Sequence, residues 1–132
     1  MKRIAVDDIV ALHIELENIY SSSGDPISPP GVKDQGLLEA AANRPWTTVD
    51  GQEAFRTLEM KAAILLWSLT CYHSFHNGNK RTAIATLRKF LERNDRSLVA
   101  TNKELVDLAD TTAALCSDRS DKPYVKNLGV GC

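Results

Sequence analysis

Thr57-Leu-Glu-Met-Lys-Ala-Ala-Ile-Leu-Leu-Trp-Ser-Leu-Thr-Cys-Tyr72 runs directly into His73-Ser-Phe-His-Asn-Gly-Asn-Lys-Arg-Thr-Ala83. The first half sets the fold. Leu58, Ala62, Leu65, Leu66 and Leu69 recur at helical spacing and make a wide apolar face. The stretch from Ala62 to Tyr72 is nearly continuous in its hydrophobicity, so the pattern predicts a central, largely buried helix over 57–72. The second half carries the chemistry. It places a histidine at a helix end, then a glycine-bearing turn, then two adjacent cations, Lys80 and Arg81. A helical pattern resumes from Thr82 to Leu91, with Ile84, Leu87, Phe90 and Leu91 on one face, and Asn94 and Asp95 end it. A turn that feeds a helix N-terminus presents backbone N–H groups and suits a phosphate. Lys80 and Arg81 add full positive charge where the helix dipole is already positive, which is unfavourable unless an anion binds there. The stretch points to nucleotide or phosphoryl chemistry.

Working outward, helix signals dominate. Ile9, Leu12, His13, Leu16 and Ile19 follow a helical rhythm and predict a first helix over 7–21, capped by Asp7. Ser21 to Gly31 is rich in Ser, Pro and Gly and reads as a loop. Asp34 caps a short helix through Leu37, Leu38, Ala41 and Ala42, which Pro45 ends. Trp46 to Arg56 lacks a helical period, and its Thr-Thr-Val-Asp-Gly favours an exposed extended segment or hairpin. Thr101 to Glu104 is a capping box ahead of Leu105, Leu108, Ala109 and Leu115. A short helix after Pro123 would complete the chain. The expectation is an all-α, single-domain bundle of about six helices, with its core over about 4–117 and a C-terminal tail over 118–132.

Composition sets the outer limits. A chain of 132 residues with 43% hydrophobic content suits one core without metal or disulfide staples. The formal net charge of −1 marks no nucleic-acid or membrane platform, so neither partner is expected. Cys71, Cys116 and Cys132 form an odd set without CxxC spacing, so zinc is not expected, and Cys71 reads as a reduced core residue. The N-terminal cations meet Asp7 and Asp8 before a signal-peptide core develops, and the Ala62–Leu69 run is too short to span a membrane. The expected location is the cytoplasm.

The motif His73, Phe75, Asn77, Gly78, Asn79, Lys80, Arg81 resembles the pattern His-x-Phe-x-Asp-(Ala/Gly)-Asn-Lys-Arg of the Doc (death-on-curing) branch of the Fic/Doc family. The Ile9-Val-Ala-Leu-His13 block and the Gly31 to Pro45 block also look like this branch, and the resemblance covers about residues 4–117. It implies a helical Fic-type bundle with the motif between two central helices. Doc-like members are toxins that use ATP to phosphorylate a translation elongation factor, elongation factor Tu by analogy. They are held inactive by an antitoxin of the Phd kind whose segment folds on binding. Self-inhibiting Fic proteins carry a Ser/Thr-x-x-x-Glu-x-x-Gly/Asn helix, and no segment here matches it in full, so control by a separate antitoxin is expected.

The resemblance also assigns roles. His73 becomes the general base that takes a proton from an attacking hydroxyl. Gly78, Asn79, Lys80 and Arg81 become the phosphate site, with Arg81 clamping phosphate oxygens and Asn79 in the anion hole. Phe75 supports the motif from the core. His13 reads as a core histidine and His76 as solvent-facing. Fic proteins that transfer AMP usually have glycine at the position of Lys80 and a further arginine at the position of Ile84, so both residues favour phosphate transfer. Asn77 departs from the pattern. The family's acidic residue there binds the Mg²⁺ that bridges the nucleotide phosphates, and a neutral amide oxygen is a poorer ligand. The alternatives are an AMP-transferase, or a silent nucleotide- or protein-binding protein that lost turnover through Asn77. Trp46 to Phe55 lies where Fic proteins carry a flap that aligns the target peptide by backbone pairing.

Overall fold

In the computed structural model, which describes residues 1–120, the central run is helix α3, Leu58–Cys71. Thr57 caps it by accepting from the Met60 N–H at 3.0 Å. Around it stand α1 (Val6–Tyr20), α2 (Gln35–Asn43), α4 (Asn79–Arg93) and α5 (Asn102–Ser120). A 3₁₀ turn, Arg44–Trp46, leads from α2 into a small hairpin of β1 (Thr48–Val49) and β2 (Gln52–Glu53). Helix α3 packs against α2, α4 and α5, and α1 lies on α4. The expectation of a helical bundle is met, with five α-helices among the described residues. The helix expected after Pro123 lies outside them.

One core runs through the molecule. Ile9 of α1, Leu38 of α2, Leu65 and Leu69 of α3 and Phe90 of α4 meet there, each essentially sealed from water. Each such side chain contributes about 1.5–3 kcal/mol of transfer free energy. Phe75 joins this core from the motif, as expected.

The ends of the helices differ from the sequence expectation in instructive ways. Ala5, not Asp7, is the N-cap of α1, and the Asp8 carboxylate reaches back to accept from the Ala5 N–H at 2.9 Å. Asp34 caps α2 as expected, accepting from the Leu37 N–H at 3.0 Å. Helix α4 begins at Asn79, three residues before its first buried residue, Thr82, so Lys80 and Arg81 lie inside its first turn. The Thr101–Glu104 capping box forms, with Thr101 N–H donating to Glu104 at 3.1 Å and Glu104 N–H to Thr101 at 3.2 Å. Cys71 is not a free core thiol. It pairs with Cys116 as a disulfide that ties the end of α3 to α5, their Cα atoms 5.7 Å apart. Two residues 45 apart on separate helices give no sequence signal of such a pairing.

Lys61 is the largest surprise in the core. It sits in the apolar run of α3, yet its side chain is fully buried. Its ammonium donates to Glu53 at 2.9 Å and to the Phe55 carbonyl, and lies 4.8 Å from the Trp46 ring centre. These contacts bind the base of the hairpin to α3. Among the described residues, no helix is long and apolar enough to cross a membrane.

Candidate active site

The turn between α3 and α4 is built from backbone that few residues adopt. His73 has φ 52°, in the left-handed region that is uncommon for a side-chain-bearing residue. This turns the chain sharply out of α3. Gly78, with φ 74°, is the N-cap of α4, and a Cβ there would lie 2.9 Å from Ile27. The glycine therefore serves both the turn and the close approach of a neighbouring segment.

That segment is the Ser, Pro and Gly-rich loop, and it docks along the motif almost residue by residue. Lys33 and Asp34 N–H groups both donate to the Ser74 carbonyl, at 2.8 and 3.0 Å. Val32 bridges to Phe75, and the His76 N–H donates to Gly31 at 3.2 Å. Asn77 Nδ2 donates to the Ser28 carbonyl at 2.9 Å. Ile27 lies over Gly78, and Arg81 donates to the Asp25 carbonyl at 2.8 Å. Loop numbers rise as motif numbers fall, as in an antiparallel seam. The sequence offered only "loop" for this segment, because backbone pairing over such separations has no side-chain signature.

The buried His13 braces the same seam from α1. Its ring stacks on Phe75 with centres 3.9 Å apart, and Nδ1 lies 2.8 Å from the Thr82 hydroxyl. Nε2 lies 3.1 Å from Glu17, close but off the line of a good hydrogen bond, and the same Glu17 oxygen accepts from the Gly31 N–H at 2.8 Å. The carboxylate beside Nε2 favours the tautomer protonated there, leaving Nδ1 to accept from Thr82. Burial lowers the His13 pKa, against a smaller upward pull from Glu17. The core assignment of His13 stands, and its ring also supports the motif.

An open cleft of about 650 Å³ lies over the turn. His73, His76, Asn77, Gly78, Asn79, Lys80 and Arg81 line it together. The first-turn N–H groups of α4 have no intrahelical acceptors and face the same end of the helix. The Asn79 side chain does not reach into the cleft as an anion-hole donor. Its amide accepts from the Phe75 N–H and donates to the Phe75 carbonyl, each at 3.0 Å, which fixes the turn. The backbone of Asn79 is what remains for an anion.

Both cations are held by acids outside the motif. Lys80 meets Asp110 of α5 at 2.7 Å, and both side chains are about half exposed. Arg81 lies 4.5 Å from the centre of the Tyr20 ring, with the Asp25 carboxylate 3.7 Å away. Tyr20, Asp25, Thr70 and Asp110 also line the cleft, and none of them was singled out from the sequence. Ile84 lines it as well, where an AMP-transferring Fic protein would carry an arginine. His76 is exposed, as expected, but on the cleft side.

Magnesium fits this arrangement poorly at Asn77. Its oxygen is neutral and already accepts from the Gly78 N–H at 2.7 Å, while its nitrogen faces the Ser28 carbonyl. The two neighbours also fix which end of the amide is oxygen. The motif thus offers no carboxylate to a divalent ion.

Comparison with known proteins agrees with this geometry. Residues 3–91 match the Fic/DOC family. The chain is 49% identical over 69 residues to Toxin Doc of Mycolicibacterium smegmatis (strain ATCC 700084 / mc(2)155), which covers 52% of this chain and 53% of that protein. It therefore spans about half the length of that relative. It is 32% identical over 108 residues to Protein kinase doc of Escherichia phage P1, covering 82% of this chain and 79% of that one. On its motif, its helical frame and these relatives, the chain belongs to the Fic/Doc family, on the Doc branch.

Proposed function

We propose that this protein is a Doc-like toxin that transfers the γ-phosphate of ATP to a hydroxyl side chain of a translation factor, elongation factor Tu by analogy. The observation that carries the reading is a single cleft lined by His73, Lys80, Arg81 and the first turn of α4. The name Protein kinase doc, borne by the phage P1 relative, favours the same chemistry.

The steps follow from the groups present. The target hydroxyl oxygen attacks the γ-phosphorus while the His73 imidazole takes its proton. The bond to the β–γ bridging oxygen breaks, and ADP leaves. Charge that develops on the phosphoryl oxygens meets the N–H groups at the start of α4 and the Arg81 guanidinium. Lys80 must exchange Asp110 for phosphate as the nucleotide enters. Magnesium that accompanies ATP would contribute charge neutralisation on the phosphates, and no step here depends on a ligand from Asn77. Lys80 in place of glycine and Ile84 in place of arginine support phosphate over AMP transfer.

The hairpin Thr48–Glu53 supplies the flap on which a target segment would pair by strand addition. An antitoxin segment that orders on binding would hold the toxin inactive. The test is label transfer to purified elongation factor Tu from ATP labelled at the γ- or the α-phosphate, with His73→Ala alongside. The expected result is γ-label alone, lost in His73→Ala. Transfer of α-label would replace the reading with AMP transfer, and neither label with tight ATP binding would favour a silent binder.

A further inference from the structure

Asn77 stands where the family pattern has a carboxylate, and its surroundings give it another task. We propose that Asn77 is a positioning residue: its amide pins the loop 25–31 against the motif and, through that loop, sets the Arg81 guanidinium.

The contacts define the pin. The loop is anchored at one end where Glu17 accepts from the Gly31 N–H, and at the other where Arg81 donates to the Asp25 carbonyl. Between these anchors the side-chain hydrogen bond from Asn77 to Ser28 sits at mid-span. Next to it Ile27 rests on the bare Cα of Gly78. The amide needs both its functions here, a donor toward Ser28 and an acceptor toward Gly78. An ionised aspartate has no donor, so its oxygen would face the Ser28 carbonyl oxygen with no proton between them. The substitution that would repair the family's metal ligand would therefore unseat the loop that holds Arg81.

The two roles separate experimentally. Asn77→Asp and Asn77→Ala are compared with wild type after thermal unfolding shows that each is folded. The first readout is hydrogen exchange in the nucleotide-free protein. Pinning predicts about tenfold or faster exchange at the Gly31 and His76 amides, together with a shifted Arg81 Nε–H resonance, in both variants. The second readout is ADP affinity by calorimetry, with EDTA and with Mg²⁺, and this arm alone rests on the nucleotide reading above. A loss of about three- to tenfold, equal in the two conditions, supports the pin. Unchanged exchange with tighter ADP binding in Asn77→Asp, seen only with Mg²⁺, overturns it and makes position 77 a metal-ligand site. If wild type binds no ADP, the nucleotide reading fails, and the exchange data still decide the pin: unchanged exchange in both variants overturns it.

Discussion

Two non-helical segments precede the motif turn in the chain, and they are held in opposite ways. The loop from Asp25 to Asp34 is fastened along its length to Ser74–Arg81, by backbone pairs, by Asn77 and by Arg81. The hairpin Thr48–Glu53 is fastened at its base by Lys61, while its strand residues stand exposed. The first segment is thus a wall against the motif, and its Asp25 lines the cleft. The second is a platform with the residues of both strands exposed.

The largest effect should come from the turn to which the first segment is fastened. Under the proposed mechanism His73→Ala removes the proton acceptor and should lower transfer by about 10²–10⁴-fold, with nucleotide affinity nearly unchanged. Arg81→Ala should lower it by about 10²–10³-fold and weaken nucleotide binding as well, read by label transfer and calorimetry.

Glycines with similar backbone angles then separate the two segments. Gly78→Ala meets Ile27 at 2.9 Å in addition to its positive φ, so it should cost about 2–3 kcal/mol in denaturant unfolding and disturb the docked loop. Gly51→Ala has the same type of φ with open space around it, and should cost about 1 kcal/mol and leave nucleotide binding intact. Equal costs at the two positions would erase the distinction between a fastened wall and an open platform.

Smaller effects follow from pH. Burial lowers the His13 pKa, so the folded state prefers the neutral ring. Stability is full above the ordinary histidine range and falls as pH drops through 6.5 and below, because the unfolded chain then binds the extra proton. His13→Gln should flatten that slope in denaturant titrations between pH 7.5 and about 5.5. Asp8 runs in the same direction at lower pH, with the charged form as the one the fold favours. Hydrogen bonding to Arg93 lowers its pKa from 3.8 to about 2, so its contribution is present above pH 4 and lost as pH falls toward 2. Its partial exposure reduces that contribution to about 1 kcal/mol, which Asp8→Asn should remove.

What the sequence made legible depended on how local the signal was. The face of α3, the Asp34 cap and the Thr101–Glu104 box are set by residues within a turn or two, and each appears where expected. The start of α4 was placed too late because Asn79, Lys80 and Arg81 are polar and add nothing to an apolar period. Lys61 was hidden inside such a period, since a buried ammonium needs Glu53, Phe55 and Trp46 to be brought to it from outside the helix. The motif residues named from the sequence lie together along one cleft. The side chain of Asn79 nevertheless turned inward to Phe75, and the acids that hold Lys80 and Arg81 came from Asp110 and Asp25, far along the chain.

The seam also has a consequence for the order in which the protein comes into being. Most of a helical bundle can form from neighbours in sequence, but Ser28 meets Asn77 across 49 residues and Asp25 meets Arg81 across 56. Closing such loops costs entropy before any contact repays it, so these pairings follow the helices. During synthesis the early loop leaves the ribosome long before its partner strand of motif exists. A nascent chain therefore carries no assembled seam, and no complete cleft wall, until α4 has emerged.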